Sequence, residues 1–391
     1  MKIRILFVDD EPNQIQGVRK LLFNARKDWH VAIIDSCRQA LLYLQGNPTD
    51  VVISDLRMPE MDGTKFLNKV KEKYPGLIRI IISEYSDREK IVRAISSAHQ
   101  IWQKPYNINY IISKIDRIFK LRGIVRNEKL LNLITGIGSL PSLPSFYEKI
   151  DQELQSPNFS LVNIAEIISR DLATTAKTLQ LVNSAIFGMT NKITSIHEAV
   201  KVLGPTVIQS FLMYVKLFST IKIPDEYLKF MEILKLHSIK VADFSNEIFS
   251  LETPDSDEAS DVYTTGLLHD IGQLALLQTV PHYYDRIQSI MHTKKTTMTE
   301  AEYQFLGTSH AEIGAYLLGL WDLPHSIVEA IAFHHYPSKA RKQEFGMMTA
   351  IHLANAFEAL LPHIDIVHLK KISLNRTLID YIAQIKEYNE E

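Results

Sequence analysis

Five short apolar runs occupy the first third of the chain, at residues 3–8, 31–34, 51–53, 78–82 and 101–102. Each is too short for a helix of its own and reads as a strand buried on both faces. Between them lie amphipathic stretches such as "NQIQGVRKLLFNARK" and "DGTKFLNKVKEKY", whose apolar residues recur at helical spacing. Strand and helix in alternation leave few solutions. The one favoured is an α/β doubly wound five-stranded parallel sheet with helices on both faces. Beyond it the texture changes: strand alternation disappears, and helical periodicity runs to the end, as in "LVNIAEIISRDLATTAKTLQLVNSA". That second part reads as an all-α helical bundle.

At 391 residues the chain is too long for one typical core, so two or three domains are expected. A helical stretch from about residue 107 to residue 133 leaves the sheet unit. The glycines and prolines of "TGIGSLPSLPS" then punctuate residues 135–145. The expected division is 1–122, a helical linker at 123–136, a helical domain at 137–335, and C-terminal helices at 336–391 that complete or extend it. A formal net charge of −2 without a long basic block argues against nucleic acid and anionic membranes as partners. The single cysteine, Cys37, excludes an internal disulfide and suits a reducing cytoplasm. The start "MKIRILFVDDEPNQ" meets carboxylates too early for a signal peptide, and no run reaches about 18 apolar residues. A cytoplasmic location is expected.

The polar residues of the first unit that draw notice follow its strands: Asp9 and Asp10 the first, Asp55 the third, Ser83 the fourth, Lys104 the fifth. In an open α/β sheet, ligands bind at this edge. Carboxylates converging there repel one another unless a cation neutralises them, and oxygen-only ligation suits Mg²⁺. Asp55 is then a candidate nucleophile, able to accept a phosphoryl group as an acyl phosphate. The Lys104 ammonium and the Ser83 hydroxyl could meet the phosphoryl oxygens. Asp after a strand also serves as an ordinary helix N-cap, and Lys-Pro as an ordinary turn; the five together, in order, favour the functional reading.

"FVDDEP", "ISDLRMPEMDG", "IIIS" and "QKPY" resemble the receiver domain of two-component response regulators, over about residues 1–122. The resemblance implies that Asp55 is the phosphoacceptor and that Asp9, Asp10 and Asp55 hold Mg²⁺. It makes Ser83 the switch hydroxyl, Lys104 the phosphate-sensing lysine, and a sensor histidine kinase or phosphotransfer protein the partner. Trp102 stands where the family usually places a switching Tyr or Phe, and its ring is bulkier than either.

Twelve of the 14 histidines follow residue 190, in the helical part. His237 lies in "KLHSIKVA", the pair His269-Asp270 in "GLLHDIGQL", and His310 in "TSHAEIGAYLL". The pair His334-His335 ends a helical run, and Asn355 sits in "IHLANAFEAL". A lone histidine on a helix is ordinarily a core or surface residue, but a bundle can aim several at one interior point, as carboxylate–histidine metal centres require.

"LPSLPSFYEKI", "RDLATTAKTLQLVNSAIFG", "ITSIHEAVKVLG", "GLLHDIGQL" and "HAEIGAYLLGLWDLP" resemble successive motifs of the HDOD domain, a relative of the HD phosphohydrolases. The HD metal set carries over as His237, His269 and Asp270, with Asn355 at the position of a distal Asp. His310, His334 and His335 resemble the histidines that complete a two-metal site in the phosphodiesterase branch. The implied cofactor is a divalent metal (Fe, Mn, Zn or Ni), or else the site is vestigial and the His-Asp pair is a structural hydrogen bond. Asn355 contributes no ligand charge, and "HHYPSKARKQ" lacks the acidic residue and "GYP" element of that branch, which disfavours cyclic dinucleotide hydrolysis.

The function expected is a response regulator: a histidine kinase phosphorylates Asp55, and the helical output domain acts by contact with an unknown downstream protein. The helix leaving the receiver would carry the change into that domain or into a receiver–receiver interface that forms a homodimer. The alternative is a phosphorylation-gated, metal-dependent phosphohydrolase acting on a nucleotide or other phosphoester. A DNA-binding regulator lacks a basic recognition helix.

Overall fold

The computed structural model describes residues 2–11, 17, 22, 24–84, 88–105, 107–218, 224–254, 256, 258–280, 282–342, 344–358, 365–369 and 371–372. Strands β1 (Ile3–Val8), β2 (Trp29–Ile34), β3 (Val51–Asp55), β4 (Ile78–Ser83) and β5 (Gln100–Gln103) form one parallel sheet in the order β2-β1-β3-β4-β5. β3 and β4 are buried along their whole length, as continuous Ile and Val runs require when helices cover both faces. Helices α1 (Cys37–Gly46), α2 (Gly63–Lys73), α3 (Arg88–Ala94) and α4 (Ile108–Arg122) belong to this unit. Most of the stretch "NQIQGVRKLLFNARK" lies outside the described residues.

The helical stretch expected from 107 to 133 is two helices. α4 ends at Gly123, and α5 (Glu128–Thr135) starts afresh where the Asn127 side chain accepts a hydrogen bond from Leu130 N. Local capping chemistry at Asn127 wins over continuous helical spacing. The bundle follows with α6 (Pro144–Gln155), α7 (Leu161–Ile168), α8 (Leu172–Val182) and α9 (Ile196–Phe218). Then come α10 (Leu228–Glu252), α11 (Ala259–Leu268), α12 (Ile271–Thr279), α13 (Tyr283–Lys294) and α14 (Met298–Leu306). α15 (His310–Leu320), α16 (His325–Phe333), α17 (Met347–Glu358) and the short α18 (Ile366–Leu369) are the last helices among the described residues; the rest of the C-terminal helices expected over 336–391 lies outside them. α9 is kinked at Gly204, whose φ of 74° only glycine adopts readily, just before the helix-breaking Pro205.

One apolar core runs without a break from β1 through the sheet and into the bundle as far as α16. A satellite core forms where α10, α11 and α17 meet, around Val241, Val262 and Ala354. Between sheet and bundle lies an extensive seam on the β4, α3, β5 and α4 side. Gln180 Nε2 donates to the His99 carbonyl at 2.9 Å, and Lys177 Nζ to that of Ile95 at 3.1 Å. The buried Lys177 Nζ also sits 3.9 Å from the Trp321 ring centre, where burial pushes its pKa well below the ordinary value. Tyr214 OH donates to the Arg93 carbonyl at 2.7 Å and lies 2.6 Å from Ser96 Oγ. Arg79, fully buried, donates its guanidinium to backbone carbonyls, among them those of Ser97 at 2.8 Å and Thr135 at 3.2 Å. At the far end Asp322 pairs with Lys114 at 2.6 Å and Lys192 at 2.8 Å, with Arg117 at 3.5 Å.

Among the described residues no helix is long and apolar enough to cross a membrane.

Candidate functional sites at the sheet edge and in the bundle

The sheet brings the predicted polar residues to its carboxyl edge. Lys104 Nζ reaches both Asp55 Oδ1, at 2.6 Å, and Asp9 Oδ2, at 3.1 Å. Asp9 Oδ1 accepts from Glu11 N at 2.9 Å, and Asp55 Oδ2 from Arg57 N at 2.7 Å. The loop after β3 can fold over Asp55 because Gly63 has no side chain: a Cβ there would meet the Asp55 carbonyl. Burial raises the Asp55 carboxyl above its ordinary value even though Lys104 pulls it the other way. Burial likewise works to lower the Lys104 ammonium, but its bonds to Asp55 and Asp9 outweigh that and hold it above its ordinary value.

Asp10 is half-buried and lines an open groove with Leu56, Arg57 and Met58. Tyr214, from the bundle, lines the same groove, so the acceptor edge and the helical unit share one surface. Ser83 is buried beside this edge, its Oγ donating to the Glu84 carbonyl at 3.5 Å. Trp102 is also buried, and edge-on to Tyr110 at 5.9 Å. Its Nε1 donates to Gln100 Oε1 at 3.0 Å, while Gln100 Nε2 donates across the seam to the Leu320 carbonyl at 3.2 Å. The aromatic position is thereby tied to the end of α15. Asp9 Oδ2 is buried and its close cationic neighbour is the Lys104 ammonium at 3.1 Å, so an oxygen-seeking cation fits beside it among the carboxylates.

The histidines converge where helix ends meet. His237 comes from the middle of α10, and His269-Asp270 form the break between α11 and α12. His310 opens α15 behind the N-cap Ser309, whose side chain forms a capping box with Glu312. His334 and His335 follow α16. Two glycines of "GLLHDIGQL" permit the approach. A Cβ on Gly266 would come 2.8 Å from Ala242 Cα on α10, and one on Gly272 would come 2.8 Å from Gly314 N on α15.

Asp270 stands at the centre of the cluster. Its Oδ1 faces His310 Nε2 at 3.0 Å and His334 Nε2 at 3.7 Å, and its Oδ2 faces His269 Nε2 at 3.4 Å and His237 Nε2 at 3.5 Å. Gln273 Nε2 donates to Oδ2 at 2.7 Å and fixes the carboxylate. His335 Nε2 lies 2.9 Å from His310 Nε2. In four of the rings Nδ1 faces an oxygen that can only accept: Gly266 O for His269, Ile331 O for His334, Glu302 for His310 and Glu358 for His237. Each Nδ1 therefore carries the proton, and in the neutral ring the Nε2 lone pair points inward.

Burial works against charging His310, yet Glu302 and Asp270 outweigh it and hold its pKa up at about 10. Burial pushes His334 and His335 well down. It also opposes the Asp270 charge, but His269 and His310 hold that carboxyl well below its ordinary range. His334 Nε2 is buried without a hydrogen bond, and the close partner of the buried Asp270 Oδ1 is His310 Nε2. Two ligand groups, Asp270 with His310, His334 and His335, and Asp270 with His237 and His269, have atoms close enough to share an ion. An imidazole and carboxylate set of this kind fits a divalent transition metal.

Asn355 is half-buried and, among the described residues, makes no hydrogen bond to any of these histidines. The carboxylates that touch them instead are Glu302 and Glu358, neither of which the sequence singles out. Glu358 lies one turn after Asn355 on α17, so the face of that helix was a usable signal. Glu302, in "TEAEYQFLG", reads as a solvated helix position and gives none.

Models of known families match both parts of the chain: the response regulator receiver domain over residues 5–116 and the HDOD domain over residues 140–337. An "Uncharacterized protein" of Treponema pallidum is 29% identical over 56% of this chain and 42% of its own length. The hydrogenase transcriptional regulatory protein HoxA of Cupriavidus necator is 30% identical over 33% of this chain and 27% of its own. The chain thus spans less than half of either relative. Among solved structures, a virulence factor from Campylobacter jejuni shares the fold, with a TM-score of 0.50 and 22% identity over 70% of this chain and 97% of that one. The MmoQ response regulator of Methylococcus capsulatus aligns over 63% of this chain and 98% of its own, at 19% identity and a TM-score of 0.49. With more than half its length matched by the HDOD model and a receiver domain ahead of it, this chain belongs to the HDOD family and is a response regulator.

Proposed function

We propose that Asp55 accepts a phosphoryl group from a histidine kinase or phosphotransfer protein, and that the charge placed there is transmitted through the seam to the HDOD domain. In the transfer an Asp55 carboxylate oxygen bonds to phosphorus as the bond to the donor imidazole nitrogen breaks. The electron pair returns to that ring. Mg²⁺ held by Asp9, Asp10 and Asp55 would offset the charge on the phosphoryl oxygens. Lys104 leaves its present pairing to follow the new group, and Ser83 donates to it. Trp102 responds within a packed seam rather than by swinging in from solvent. The division of labour is a receiver to residue 122, a linker at 123–136, and an HDOD domain at 137–335 extended by 336–391.

The observation that carries this reading is the double role of α15. Its C-terminal end accepts from Gln100, which in turn holds Trp102, and its first residue is His310. An 11-residue helix is a rod of about 16 Å. A shift of a few kcal/mol at Asp55 can therefore bias the geometry of the histidine centre and its surface.

The test is labelling of the full chain by acetyl phosphate with and without Mg²⁺. Incorporation that needs Mg²⁺ and vanishes in Asp55→Asn is expected; labelling that persists in that variant reassigns the acceptor.

A second reading, a metal-dependent phosphohydrolase gated by phosphorylation, is favoured by the imidazole Nε2 atoms gathered on Asp270. A divalent ion there would polarise a phosphoester and activate water. Turnover of a phosphoester panel by the metal-loaded protein, lost in Asp270→Ala, would establish it. Full metal occupancy without turnover would leave the contact-driven output standing.

A further inference from the structure

We infer that Glu302 and Glu358 are the positioning residues of the histidine centre, supplying from behind the rings the negative charge that Asn355 does not. The inference rests on the metal reading of that centre. The two histidines backed by carboxylates sit on opposite sides of Asp270. His310 faces Oδ1, and its Nδ1 lies 2.7 Å from Glu302 Oε2; His237 faces Oδ2, and its Nδ1 lies 2.5 Å from Glu358 Oε2. The two rings between them, His269 and His334, give their Nδ1 protons to backbone carbonyls at 2.6 and 2.8 Å. Each half of the centre thus has one carbonyl-backed and one carboxylate-backed imidazole, with a shared carboxylate in the middle and His335 as a third ring on the His310 side.

Glu302 is built for one task. It is fully buried, and its Oε2 accepts from both Nδ1 and the backbone N of His310. Its Oε1 accepts from the buried Tyr283 hydroxyl. A wholly buried carboxylate needs compensation, and a ring that serves as a metal ligand provides it through its Nδ1 proton. Glu358 is half-buried and shared with Lys240 at 3.3 Å, which leaves that side of the centre nearer to solvent. A carboxylate on Nδ1 makes Nε2 more basic and locks the ring plane.

Were each ligand group to hold a divalent ion, four positive charges would gather there, and Asp270 alone among the direct ligands would offset one. With Glu302 and Glu358 three negative charges surround the centre, although only one belongs to a direct ligand.

Co²⁺ titration of the chelator-stripped full chain tests this, read by visible absorption and by bound metal per chain. The wild type should bind Co²⁺, with Glu302→Ala and Glu358→Ala each weakening it about 10- to 100-fold. Glu302→Gln and Glu358→Gln, which keep an accepting oxygen without the charge, should recover part of that loss. Adding Glu302→Ala to His310→Ala, or Glu358→Ala to His237→Ala, should cost nothing further, since each glutamate acts through its histidine. Thermal melts of the metal-free variants identify any that fail to fold, and the exposed side, Glu358, then carries the decision. Wild-type binding with unchanged affinity in Glu358→Ala overturns the inference. Absence of Co²⁺ binding by the folded wild type overturns the metal reading itself.

Discussion

Gly272 packs against the first turn of α15 so closely that a methyl group on it would lie 2.7 Å from the carbonyl carbon of His310. The "HDIG" glycine is therefore a spacer that sets how near Asp270 comes to His310. Gly272→Ala should cost about 3 kcal/mol, at the upper end of overpacking penalties because the obstacle is backbone. Urea unfolding would measure it. The same variant should bind Co²⁺ more weakly, and an unchanged midpoint would show that the two helices can part freely.

Lys104→Ala removes the cation that Asp55 and Asp9 share. Labelling by acetyl phosphate should persist at a reduced level. The phosphorylation-dependent change in hydrogen exchange along α15 should be lost. An undiminished exchange response would separate Lys104 from signalling.

Gln100 joins Trp102 Nε1 to the Leu320 carbonyl, and truncating it leaves both groups buried without a partner. Gln100→Ala should destabilise the protein by about 2 kcal/mol. It should also disconnect α15 from the phosphorylation state. Hydrogen exchange of α15 amides before and after phosphorylation would report this, and a wild-type response in the variant would place the coupling elsewhere in the seam.

Asp322 offers a pH test. Burial works to raise its carboxyl, but Lys192 and Lys114 outweigh that and hold it below the ordinary range. A depressed folded-state pKa means that its stabilisation is complete above the unfolded-state value, about 3.9, and is lost as pH falls through the folded value. Asp322→Asn should therefore be less stable than wild type at neutral pH, by about 3 kcal/mol for a largely buried ion pair broken on one side. The gap should close in acid. Urea midpoints at pH 7 and below pH 4 would show it, and a gap that is constant with pH would remove the carboxylate charge from the account.

Much of this was readable from residue order alone. The five strands announce themselves because Ile and Val runs of that length have no other stable home, and strand-end placement then delivers Asp9, Asp55 and Lys104 to one edge. The histidines were legible as a set because a bundle can bring helix ends together. Glu302 was not, because an acidic residue on an amphipathic helix looks solvated until the partner that buries it is known. Gln100, Lys177 and Tyr214 were hidden for the same reason: each finds its acceptor across the seam, more than 80 residues away in sequence. The break at Asn127 was missed because apolar spacing continues through it while the cap depends on a single side chain.

The unbroken apolar interior that runs from the sheet into the bundle has a bearing on how such a chain could evolve and be handled. A receiver hung on a flexible tether can be cut off or exchanged for another with little harm; this one cannot, since severing it would expose oily surface on both fragments. Heating should melt sheet and helices in one concerted step, and swapping in a foreign receiver should yield insoluble chains unless the residues lining the junction travel with it.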